Sequence, residues 1–148
     1  MVENESLAKL EGFVGNWAVT LTDAWFLESR DVRISGSATV DWLDDAFLRF
    51  RWTMEDEEAS WSEFVIGHND ARGRYVVLSY DYRGVARVFD MTFEGGEWLM
   101  WREDPDFYQR WIATVEDDRI VGRPEASEDE GGTWRKDFDL IFERLPAK

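Results

Sequence analysis

Cysteine is absent from the chain, which excludes a disulfide framework, a thiolate zinc site, an iron–sulfur cluster and a thiol nucleophile, and leaves the redox compartment unreadable. Histidine occurs once. A single imidazole makes no convincing Ser-His-Asp triad by itself, and no Gly-x-Ser-x-Gly elbow occurs to present a serine nucleophile. Phosphate-cradling glycines are missing too: Gly95-Gly96 and Gly131-Gly132 are followed by neither Lys-Ser/Thr nor a helix and read as hairpin turns. Long apolar runs are lacking, so nothing reads as a membrane span, and residues 1–11 have neither the basic start nor the apolar stretch of a secretory signal. A soluble cytoplasmic protein is the expectation. Positive charge is scarce as well. Lys and Arg total 17 against 32 Asp and Glu, a formal net charge of −15 that repels polyanions and anionic lipid, so neither nucleic acid nor membrane is expected as a partner.

What the chain has in quantity is rings. Nine Trp, ten Phe and four Tyr fill 16% of 148 residues, so the protein either packs an unusually bulky core or lines a cavity with aromatic side chains. With 44% hydrophobic and 33% charged residues, the whole of 1–148 reads as one globular domain.

Periodicity sets the fold class. Residues 6–13 read as a short opening helix, since Leu7, Leu10 and Val14 recur at helical spacing after a Ser able to cap it, and Gly15 ends it. From Asn16 the period becomes two. Leu48, Phe50, Trp52 and Met54 stand against Arg49, Arg51 and Thr53, and the acidic turn 55–58 leads into a return strand with Phe64 and Ile66, which is a hairpin. Further runs follow at 76–82, 86–93, 98–102, 107–115 and 119–123, and the last shows Trp134, Phe138, Leu140 and Phe142 against Arg135, Asp137, Asp139 and Glu143. About ten strands on short turns, with no second helix for a parallel crossover, define an all-β, antiparallel, mostly up-and-down sheet. Closure into a barrel removes its two edges.

Leu7-x-x-Leu10 before Gly15-Asn16-Trp17 resembles the opening of calycin-type barrels, the lipocalins and fatty-acid-binding proteins. The stretches Tyr82-Arg83-Gly84-Val85-Ala86-Arg87-Val88, Pro105-Asp106-Phe107-Tyr108-Gln109-Arg110-Trp111, and Gly132-Thr133-Trp134 with Asp137-Phe138-Asp139-Leu140 resemble a bacterial family of lipocalin-like domains of unknown function, over about residues 7–144. The resemblance implies the barrel and supplies no activity. It also implies that Trp17 closes one barrel end under a basic residue near the terminus, for which Arg144 is the candidate. Two positions depart from the family pattern: His68 stands where an aromatic is usual, and Pro124 where Trp is expected, which weakens the ninth strand. The haem-binding nitrobindin branch of such barrels takes its proximal histidine late in the chain. Residues 134–145 contain none, so haem is not expected, and no other cofactor or metal is implied.

The chemistry left is that of a pocket. A largely apolar small molecule is expected among Trp52, Phe64, Tyr80, Phe89, Trp101 and Trp111, its polar end held by Gln109, His68 or an Arg. Fatty-acid-binding barrels hold a ligand carboxylate with interior Arg and Tyr. Arg87, Arg102, Tyr80 and Tyr82 are the matching candidates, and Arg87 alternates with Phe89, Met91 and Phe93. Against this stands a barrel filled solid by the same rings, with its arginines in surface ion pairs. The other alternative is a cofactor-independent enzyme of cyclase or isomerase type, in which His68 or a tyrosine moves a proton; a strand-end His68 bonded to the Asn69-Asp70 turn is the plainer reading. Association of two copies through a strand edge or the barrel wall stays open.

Overall fold

In the computed structural model, which describes residues 2–55 and 60–146, Asn4 opens the chain by capping a one-turn helix. Its side chain accepts from the backbone N–H groups of Ser6 and Leu7, so the cap is Asn4 and Ser6 lies inside the turn. This helix, α1 (Glu5–Ala8), passes through a 3-10 turn at Glu11–Phe13 into the first strand. The helical spacing of Leu7, Leu10 and Phe13 survives the change of helix type, and all three are buried.

Eleven strands follow: β1 (Gly15–Thr22), β2 (Ile34–Leu43), β3 (Phe47–Met54), β4 (Trp61–Asn69), β5 (Arg74–Asp81), β6 (Ala86–Glu94), β7 (Glu97–Glu103), β8 (Tyr108–Val115), β9 (Arg119–Ser127), β10 (Arg135–Lys136) and β11 (Asp139–Arg144). Each of β1 to β9 pairs antiparallel with the next, and β11 bonds both β9 and β1, which closes a barrel of ten strands. The short β10 is the extra strand, laid on the end of β9. The all-β antiparallel barrel with one short N-terminal helix is therefore the fold. The β3–β4 turn falls at residues of which 56–59 lie outside those described.

Two strands differ from the expected pattern at their ends. The run from Trp134 splits at Asp137, whose N–H bonds to the carbonyl of Pro124, so β10 and β11 lie along successive parts of β9. Pro124 does not end β9. The strand runs through it to Ser127, with the ring turned inward opposite Trp111.

The barrel has a closed end and an open end. Leu7, Leu10 and Phe13 plug the first, packed with Trp17, whose indole donates to the Phe13 carbonyl at 3.0 Å. Above Trp17 lies the Arg144 guanidinium, which also donates to the carbonyls of Gly12, Val14 and Asp117. Among the described residues no helix is long and apolar enough to cross a membrane.

Candidate ligand cavity

Inward-facing rings stop short of filling the open half. Phe50, Trp98 and Phe142 form a floor, with Phe50 5.8 Å from Trp98 and 5.5 Å from Phe142 between ring centres. Trp98 touches Phe13 of the plug on one side and Trp111 on the other, so the floor is continuous with the closed end. Above it, Trp52, Phe64, Phe89 and Trp111 wall a cavity of about 160 Å³, whose mouth is ringed by Ser62, Ser79, Asp81, Arg87, Gln109 and Phe138.

The mouth holds the polar groups. Asp81 is gripped by the fork of Arg83, Nε to Oδ1 at 3.1 Å and Nη2 to Oδ2 at 2.7 Å, and these bonds hold its carboxyl below the usual range. Arg87, the second residue of β6 after that turn, has no such partner. Among the described residues its guanidinium makes no ion pair and no hydrogen bond, and its neighbour is the ring of Phe107 at 5.4 Å. Burial, with the positive charges of Arg102 and Arg83, pulls its pKa below the ordinary arginine value, yet it stays a cation at neutral pH.

Gln109 is held from behind. Its Oε1 accepts from Arg102 Nε at 3.1 Å, and Arg102 also binds Asp104 at 2.7 Å and Asp106 at 3.1 Å while stacking 4.4 Å over Phe107. With its oxygen committed, Gln109 keeps its amide N–H groups as donors. Farther in, the indole N–H groups of Trp98 and Trp111 are buried without an acceptor among the described residues.

Of the residues expected at a site, Trp52, Phe64, Arg87, Phe89, Gln109 and Trp111 line this one cavity. The other five do not. Tyr80 faces outward against Trp61, because β5 turns Tyr75, Val77, Ser79 and Asp81 inward and the alternation expected for it is reversed. Tyr82 lies exposed beyond the end of β5. Trp101 is on the outer wall under the Arg74 guanidinium, since β7 points Trp98, Met100 and Arg102 inward and adjacent residues take opposite faces. Arg102 is inward and only 4% exposed, but it is spent on Gln109 and two aspartates and does not line the cavity. His68 sits at the closed end, 5.9 Å from Tyr75 between ring centres and beside Ser6 and Lys9, away from the cavity.

Ser62, Ser79, Asp81 and Phe138 also line the cavity, and the first three escape a reading of aromatic and basic residues alone. Phe138 carried a signal, since it alternates with Asp137 and Asp139. Arg110 turns its guanidinium to the outer wall, onto Glu125 at 2.6 Å and over Trp134 at 3.9 Å.

Fold and cavity together define a closed antiparallel β-barrel with an apolar chamber open at one end. The crystal structure of Rv2717c from M. tuberculosis is similar to it, with a TM-score of 0.71 over 96% of this chain and 98% of that chain. At 10% identity the likeness is one of fold alone. No protein-family model matches the chain, and no curated protein matches it.

Proposed function

We propose that this protein is a lipocalin-like binding barrel, which encloses a small, largely apolar molecule and holds its polar or carboxylate end at Arg87. The observation that carries this is the unpaired guanidinium at the mouth of a ring-lined cavity, in a protein with nearly two carboxylates for every base. Arg87 is half-buried and has no anion in hydrogen-bond contact among the described residues, and a ligand carboxylate supplies one. The plugged end, with Trp17 under Arg144, supports the lipocalin-like assignment that the resemblance implies.

An apolar fluorescent probe carrying a carboxylate tests the reading. It binds the native protein and quenches tryptophan emission, and Arg87→Ala weakens it more than its neutral analogue. A charge-assisted contact contributes about 1.5 to 3 kcal/mol, so the difference is roughly tenfold or more. Absence of binding by any such probe favours the filled barrel instead.

Catalysis finds no matching support, because of its candidates, His68 or a tyrosine, His68 stands at the other end of the barrel and no tyrosine of the described residues lines the cavity. The outer wall bears on partners. Its ion pairs Arg49–Asp41, Arg51–Glu63, Arg74–Asp90 and Arg110–Glu125 are unlike the apolar belt that a membrane barrel turns to lipid, which supports a protein that stays off membranes. At −15 it also stays off nucleic acid, and a salt-sensitive gel shift with DNA or RNA is the result that overturns this.

A further inference from the structure

We infer that the occupant of the cavity is a monocyclic aromatic acid, with its carboxylate on the ring or one carbon removed from it, rather than a long-chain alkyl acid. This rests on the binding reading above and adds the class of ligand.

Size argues first. The cavity measures about 160 Å³. An engineered cavity of about 150 Å³ takes benzene, whereas drug-sized ligands fill roughly 300 to 1,000 Å³. Depth cannot be gained inward, because Trp98 of the floor rests edge to face on Phe13 beneath it at 5.1 Å and both are fully buried. An alkyl chain much longer than a ring therefore has to leave part of itself in water at the mouth, where its added methylenes gain nothing.

The walls argue second. Trp52 meets Phe64 at 4.7 Å and 84°, and Trp98 meets Trp111 at 5.4 Å and 72°. Walls built of ring faces and ring edges suit a ligand with a face and an edge of its own, and a rigid ring loses no internal freedom on entry.

The anchor argues third. Arg87 and Phe89 are next neighbours on the inward face of β6, about 7 Å apart along the strand. A ring packed on Phe89 then brings a carboxylate attached directly, or through one carbon, to the guanidinium fork. A planar fork matches a carboxylate with two parallel hydrogen bonds.

The test is a displacement titration on the full chain, using the fluorescent carboxylate probe and three sets of competitors: benzoate and phenylacetate, the neutral benzyl alcohol, and straight-chain acids of six, ten and sixteen carbons. Expected are displacement by both aromatic acids at concentrations roughly tenfold or more below benzyl alcohol, and no gain in affinity from six to sixteen carbons. Arg87→Gln erases the preference for acid over alcohol. Should that variant fail to fold, the selectivity of the native protein decides alone. Affinity rising steadily along the alkyl series, or alkyl acids displacing where aromatic acids do not, overturns the aromatic class and leaves the binding reading standing. Failure of every competitor, with no binding of the probe, overturns both.

Discussion

The guanidinium of Arg144 lies 4.2 Å above the ring of Trp17, its directly paired partner across β11 and β1, and seals the closed end of the barrel. Gly15 makes room for it. A Cβ there would stand 2.7 Å from Arg144 Nη1, and the backbone φ of +142° already disfavours a side chain. Trp17 is fully buried, so Trp17→Ala removes a large ring from packed surroundings and costs on the order of 3 kcal/mol or more. Arg144→Met keeps the stem but strips donors from the carbonyls of Gly12, Val14 and Asp117, at a cost of about 1 to 3 kcal/mol. Urea unfolding measures both, and a Trp17→Ala loss below about half a kcal/mol contradicts its place in the core.

How much of this was legible varies strand by strand. In β3 polar Arg49, Arg51 and Thr53 separate Leu48, Phe50, Trp52 and Met54, so only one face suits the core. Tyr75-Val76-Val77-Leu78 in β5 is apolar on both faces, and nothing local says which turns in; the wrong choice moved Tyr80 from the outer wall to the cavity. Arg87 carries its face in its alternation with Phe89, Met91 and Phe93. The partnership of Arg102 with Gln109 depends on the β7–β8 register and has no trace in composition or spacing. Trp17 and Arg144 meet across nearly the whole chain, and resemblance alone joined them.

His68→Phe leaves ligand affinity unchanged within about twofold. The imidazole is beside Tyr75 at the plugged end, and the fully buried Ile66 separates it along β4 from Phe64 of the chamber wall. Electrostatic or packing changes there have no path of direct contact to a bound molecule. Probe titration checks it, and a tenfold loss would return His68 to the site.

The loop after β9 is acid-sensitive. Asp129 accepts from the Thr133 hydroxyl and N–H at 2.7 Å each and from Ser127 Oγ at 2.8 Å, which brings its pKa from 3.8 to about 2. Because the folded value is the lower one, the contribution to stability is complete above the unfolded pKa and is lost as pH falls from there through about 2. A carboxyl NMR titration of Asp129 with a midpoint near 2 and simultaneous movement of the Thr133 amide is expected, and a midpoint at the ordinary aspartate value refutes the cap.

Gly122 is a glycine because of Trp111. A Cβ at Gly122 would lie 2.5 Å from Trp111 Cζ2, 2.6 Å from Cη2 and 2.8 Å from the Ala113 Cβ, distances no packed carbon keeps. The backbone at Gly122 is ordinary extended strand that alanine also adopts, so the obstacle is steric, the Trp111 ring first and the Ala113 methyl second. Gly122→Ala therefore drives Trp111 inward, against Trp98 and into the chamber, and costs about 1 to 3 kcal/mol as overpacking does. Probe binding falls with it, since a chamber of about 160 Å³ has little volume to give. Adding Trp111→Phe to Gly122→Ala relieves the collision, so the double variant is more stable than the sum of the two single losses predicts, by at least about 0.5 kcal/mol. Strict additivity in that cycle would mean that some other neighbour, Ala113 foremost, takes the strain.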